Sequence, residues 1–165
     1  MKPFRAMIMV LLAAVTLSSH AQDPYPNKPV RIVIPYAAGG GVDAAARLVA
    51  QSLTDALGQS FIVDARPGGN TMIGSSSVAR AAPDGYTLLL TGGSTMTLLP
   101  LTQPKLSFRP LEDFAPIGLV SRLPFFLTVS STQPYKTVKE LFADPKMKDG
   151  SLAYVSNGIG SMAHV

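Results

Sequence analysis

The sequence predicts a parallel α/β fold, and three observations carry that reading. Short β-branched or apolar runs at 30–34, 61–63 and 86–90 read as strands. The segments between them space their apolar residues as helices do, and Gly, Pro and Asp-Gly punctuation separates the pieces. Strands that alternate with helical crossovers in this way build a parallel sheet.

Val30-Arg31-Ile32-Val33-Ile34 ends at Pro35, which has no N–H to give a sheet ladder, so the first strand stops there. Beyond Gly39-Gly40-Gly41, apolar residues at Val42, Ala45, Ala46, Val49, Leu53, Ala56 and Leu57 line one face of a helix. Gly58 stands where that helix should stop. Phe61-Ile62-Val63 is the second strand, and Arg66 to Asn70 is a loop. A second helix is expected from Ile73 to Ala81. Asp84-Gly85 marks a turn, and Tyr86 to Leu90 reads as a strand buried on both faces.

From Leu101 to Asp113 the Pro, Ser, Lys and Arg content predicts a surface connection. Ile117–Val120 and Phe125–Val129 predict two more strands, either a hairpin or a passage between lobes. Thr137-Val138-Lys139-Glu140 has the spacing of a capping box and predicts a helix start. Leu152–Val155 reads as another strand, followed by a glycine-bearing loop from Ser156 to Gly160 and a helix cap at Ser161.

Lys2 and Arg5 precede an apolar run from Ala6 to Leu17, and Ser19-His20-Ala21 supplies small residues for cleavage before Gln22. This is a secretory signal peptide over residues 1–21, since the apolar run is well short of the ~20 residues a membrane-crossing helix needs. The product is expected to be soluble and periplasmic. The chain has no cysteine, so neither a disulfide nor a lipid anchor is expected. Cleavage removes two of fourteen basic residues and none of the ten acidic ones, lowering the formal charge from +4 to +2. The remaining Arg and Lys are scattered singly, which argues against nucleic acid as a partner.

Hydrolase chemistry lacks its parts. His164 is the only histidine after the leader, and no Gly-x-Ser-x-Gly elbow is present. Zinc and iron sites want several Cys or His ligands, and Asp43, Asp55, Asp64 and Asp84 form no calcium loop. No catalytic residue, metal or cofactor is expected. The glycines at 39–41 do not have dinucleotide spacing, and no P-loop lysine follows.

A glycine loop opening a helix can instead hold a small anion, because the first N–H groups of a helix are unpaired and its dipole is positive there. The loop from Ser156 to Ser161 repeats this offer. Both loops can equally be tight strand-to-helix connections. Asp43, four residues before Arg47, is a ligand contact or a dipole partner with a salt bridge. Tyr36 covers a ligand or caps the sheet.

Read together, ordered motifs along the mature chain resemble the Bug family, the substrate-binding receptors of tripartite tricarboxylate transporters. They are Tyr25 to Pro29, Pro35 to Asp43, Arg66-Pro67-Gly68, Ala82 to Tyr86, Asp113 to Ile117, Lys136 to Leu141, and Tyr154 with Ser156, Gly158, Gly160, Ser161 and His164. The resemblance implies a two-lobed, Venus-flytrap fold of the periplasmic binding protein type II kind. It also implies that the chain is no enzyme. A di- or tricarboxylate would sit in the cleft and pass to membrane permease subunits, with the receptor acting as a monomer. Carried over by motif, Tyr36, Ala37, Ala38, Gly39 and Asp43 would contact the ligand from the first lobe, with Ser94 and Thr95 as further candidates. Ser156, Asn157, Gly160, Ser161 and His164 would face them from the second.

The resemblance divides the chain into the leader, a first lobe over 22–121 and an incomplete start of the second lobe over 122–165. Two departures stand out. Asn70-Thr71-Met72 precedes Ile73-Gly74 where relatives carry Gly-Gly-Asn, and relatives continue for about as many residues again. The alternative expectation is therefore a truncated, non-functional remnant without a complete cleft.

Overall fold

The computed structural model describes residues 24–122, 124 and 126–156. The expected leader, Phe125, and the facing-lobe positions Asn157, Gly160, Ser161 and His164 lie outside the described residues.

Three parallel strands, β1 (Val30–Ile34), β2 (Phe61–Ala65) and β3 (Thr87–Leu89), form one sheet in the order β2-β1-β3. Ile32 lies opposite Val63 on one side and Leu88 on the other. The crossovers carry helix α1 (Gly41–Leu57) and helix α2 (Met72–Ala79). The first runs outward from β1 to β2, and the second returns past β1 to reach β3. Crossovers of one hand that run in opposite directions put their helices on opposite faces of the sheet.

Helix α1 covers the face that carries Val30, Ile32 and Phe61, and adds Ala50 to that core; Val49, Leu53, Val63, Tyr86, Leu88 and Leu90 pack around it. Full burial of one aliphatic side chain is worth about 1.5–3 kcal/mol. Val30, Ile32 and Ile34 all reach that limit, so β1 anchors the sheet. Gly58 ends α1 in the left-handed conformation (φ 70), and its N–H donates to Thr54 O at 2.9 Å. The Thr54 hydroxyl accepts from Phe61 N at 3.1 Å, which joins the end of the helix to the start of β2.

On the other face, α2 packs against the ends of β1 and β2 through Gly74. A Cβ on Gly74 would stand 2.8 Å from Arg66 O and 2.9 Å from Pro35 Cα, so only glycine permits this approach. The rest of that face stays open. Arg31, Ile62 and Thr87 share a row by register, and Arg31 and Ile62 are exposed.

The structure corrects several expectations. Helix α2 spans 72–79, not 73–81. The third strand has three residues and is half-buried, not covered on both faces, because among the described residues it is the edge of the sheet and Thr87 belongs to the open row. Two short helices that apolar spacing did not announce follow it, α3 (Gly93–Thr97) and α4 (Leu99–Thr102), with Leu99 buried.

The 101–113 connection runs largely over the surface, as expected, with Phe108 as its buried anchor. Phe108 is buried and meets Phe114 edge to face at 5.6 Å between ring centroids, and the Ser107 and Ser76 hydroxyls bond each other. The runs at 117–120, 126–129 and 152–155 are not strands. Apolar, β-branched composition describes a surface suited to a sheet, but a strand exists only when another strand accepts its ladder, and none does so among the described residues.

Helix α5 (Val138–Ala143) begins where the capping box predicts, with Thr137 Oγ1 accepting from Glu140 N at 3.2 Å. Glu140 reaches back to Lys136 N at 2.6 Å, one residue beyond the cap itself. Helix α6 (Pro145–Lys148) follows. Among the described residues, no helix is long and apolar enough to cross a membrane.

Candidate functional site

Because the strands are parallel, the loops that leave them all emerge at one edge of the sheet. The chain leaves β1 toward one neighbour and later returns to pair on its other side, so the reversal in strand order falls between the loops after β1 and β3, the place where open α/β sheets form a ligand crevice. The first loop runs from Tyr36 to Gly40 and leads into α1. Ala37, Ala38 and Gly39 are exposed along it. The N-cap of α1 is Gly40, which has no side chain to cap the first turn, so its N–H groups point outward at the positive end of a seventeen-residue helix. Gly39 has φ 87 with nothing within 4 Å of a Cβ, so conformation and not space requires glycine there.

Asp43 braces this loop from beneath. It is 4% exposed, and its Oδ2 accepts from Arg47 Nε at 3.1 Å and from Gly39 N at 2.9 Å. The Arg47 hydrogen bond, followed by the Gly39 N–H, holds its carboxyl below the ordinary carboxylate range. Oδ1 is buried without a hydrogen-bond partner. Of the readings open from sequence, the Arg47 ion pair is present, and the loop contact adds a role that spacing did not suggest. Arg47 also offsets the negative charge that a bare carboxylate would set beside an anion.

Hydroxyl groups join the three strand-end loops. Tyr36 Oη accepts from Gly92 N at 3.0 Å and lies 3.4 Å from Thr91 Oγ1 and 3.3 Å from Thr95 Oγ1. Thr91 donates to Thr95 at 2.9 Å, and Thr95 donates to Thr71 at 3.0 Å. The structure therefore brings together Tyr36 and Thr95, both singled out from sequence, and adds Thr71, Thr91 and Gly92. Thr71 stands in the Asn-Thr-Met departure, which was the one available signal for it. Thr91 and Gly92 carried none, because their role depends on a partner more than fifty residues away.

Ser94 is half-buried in α3, and its carbonyl accepts from Leu98 N at 3.0 Å. Ser156 is half-buried.

Backbone N–H groups and neutral hydroxyls are suited to holding a carboxylate without a buried cation. Among the described residues, no group of three or more His, Cys, Asp or Glu is arranged to hold a metal ion. A groove of about 510 Å³ lies on the open sheet face, lined by Lys28, Arg31, Ile62, Asp64, Asp84 and Thr87 among others. None of the loop residues described above lines it, so it is separate from the crevice.

The profile of the tripartite tricarboxylate transporter family receptor, TctC, matches residues 45–165. The chain belongs to this family. This TctC chain is 33% identical over 162 residues to Protein BugT of Bordetella pertussis, which covers 97% of the chain and 50% of BugT. Among solved structures, the R. palustris protein Rpa4515 with adipate superposes with a TM-score of 0.68 at 33% identity, over 72% of this chain and 40% of that one. The periplasmic binding protein BugD gives 0.53 at 37% identity, over 57% and 31%.

The TctC chain spans about half the length of the curated relatives it matches. Its fold is that of the periplasmic binding proteins of the TctC and Bug type, present in part. TctC is a receptor family, not a class of enzymes.

Proposed function

We propose that this chain is the first-lobe portion of a periplasmic receptor that captures a small di- or tricarboxylate. Residues 22–121 carry that lobe and 122–165 begin the facing one. The receptor acts as a monomer, makes and breaks no bond, and delivers its ligand to membrane permease subunits. The observation that carries the reading is the uncapped N-terminus of α1 beside the Tyr36–Thr95 hydroxyls, at the point where strand order reverses. Unpaired amides at the positive end of a helix favour a carboxylate, and neutral hydroxyls orient it. The adipate in the Rpa4515 structure supports a dicarboxylate.

Calorimetric titration of the protein recovered from the periplasm, with its intact mass measured alongside, tests this reading. Saturable binding of adipate, malate or citrate is expected, with loss of binding when the same acids are offered as neutral esters. A second reading, an inactive remnant of such a receptor, is favoured by the exposure of Ile117, Leu119, Phe126 and Leu127. Absence of saturable binding by any of the acids would favour the remnant.

A further inference from the structure

We propose that Thr71 is the positioning residue of the crevice, tying the loop after β2 to the loops after β1 and β3. This rests on the receptor reading for its consequence, but not for its geometry. Asn70 and Thr71 both have left-handed backbone, at φ 50 and φ 72. A β-branched residue rarely adopts that conformation, and such outliers persist only where the surroundings hold them.

Thr71 is the N-cap of α2, yet its side chain makes no capping bond to its own helix. The usual capping position is extended, with the hydroxyl turned to the helix amides. Here the Met72 and Ile73 amides donate instead to the carbonyls of Gly69 and Gly68, at 3.1 and 3.4 Å. The Thr71 hydroxyl is thereby left to accept from Thr95, which is 2% exposed. Thr95 in turn adjoins Tyr36 Oη, the acceptor for Gly92 N. Through Thr95, the Thr71 hydroxyl thus supports the Tyr36–Gly92 bond that joins the loop after β1 to the start of α3.

The test compares the full 165-residue chain with Thr71→Val, Thr71→Ser and Thr71→Gly. Valine keeps the shape and removes the acceptor, serine keeps the acceptor, and glycine relieves the backbone while removing the acceptor. Amide hydrogen exchange at Gly92 is read against Leu90, whose N–H donates to Val33 O in the sheet.

Thr71→Val and Thr71→Gly remove the Thr95–Thr71 bond that supports Tyr36, and are expected to speed Gly92 exchange roughly three- to tenfold relative to Leu90, on the scale of one ordinary hydrogen bond. The Tyr36 ring carbon bearing the hydroxyl should shift in its NMR resonance, and Thr71→Ser should restore both signals. Unchanged Gly92 exchange in Thr71→Val, or equal acceleration at Gly92 and Leu90, overturns the proposal.

Adipate titration of the same variants recovered from the periplasm provides the second arm. Weaker binding in Thr71→Val with recovery in Thr71→Ser is expected. If the unaltered protein recovered from the periplasm binds none of the acids, the receptor reading fails while the exchange result still decides the role of Thr71.

Discussion

Asp43 is where the chemistry of one side chain is most exposed to test. Arg47 and the Gly39 amide hold its carboxyl below the ordinary value of 3.8. A group whose pKa is lowered by folding contributes stability that is complete above that ordinary value and is lost as pH falls through the folded value. Asp84 and Asp113 follow the same sign, held down first by the backbone N–H groups of Tyr86 and Arg109. Acid should therefore lower the melting temperature, most steeply below 3.8. Asp43→Asn should melt lower than the unaltered chain at neutral pH, and the gap should narrow toward about pH 2. A gap of constant size across a pH series of thermal melts would remove the ionised carboxylate from the account.

At the scale of elements, the junction of α2 with β1 leaves no room for a side chain at Gly74. Gly74→Ala adds a methyl group against two backbone atoms, which cannot rotate away as a side chain would. Overpacking of this kind costs about 1–3 kcal/mol, near the top of that range against backbone, while alanine gains about 1 kcal/mol in helix propensity. A net loss of about 1–2 kcal/mol is expected, read as a lower urea midpoint. An unchanged or raised midpoint would mean that α2 can move off the sheet.

The same elements show what periodicity can reveal. Helix α1 was legible because seven apolar positions fall on one face and Gly58 ends it, both local facts. The runs at 117–120 and 126–129 misled because their composition suits a sheet while the ladder partner is a non-local matter. Helices α3 and α4 are too short to show a period at all.

Across the whole molecule, burial is uneven. The sheet and α1 enclose a core, whereas Leu111, Ile117, Leu119 and Phe126 are more than three-quarters exposed. Scattered exposed leucines are ordinary, but a run of this density is not. The chain of residues 22–165 on its own should bind a hydrophobic dye such as ANS, melt broadly and show little shift with adipate. A sharp cooperative transition without dye binding, and with a clear ligand-induced shift, would contradict this.

The sequence by itself determined the parallel α/β order, the strand β1 and its glycine loop, helix α1 with its stop, the capped start of α5 and the TctC resemblance. All of these rest on contacts within a few residues or on motif order, which a linear chain displays directly. Only the tertiary structure decided that β3 is an edge among the described residues, and that Thr71, Thr91 and Gly92 belong with Tyr36 and Thr95. Those facts depend on which distant segments the crossovers bring to one edge of the sheet, and on hydrogen bonds spanning 24 to 59 residues, which no local pattern encodes.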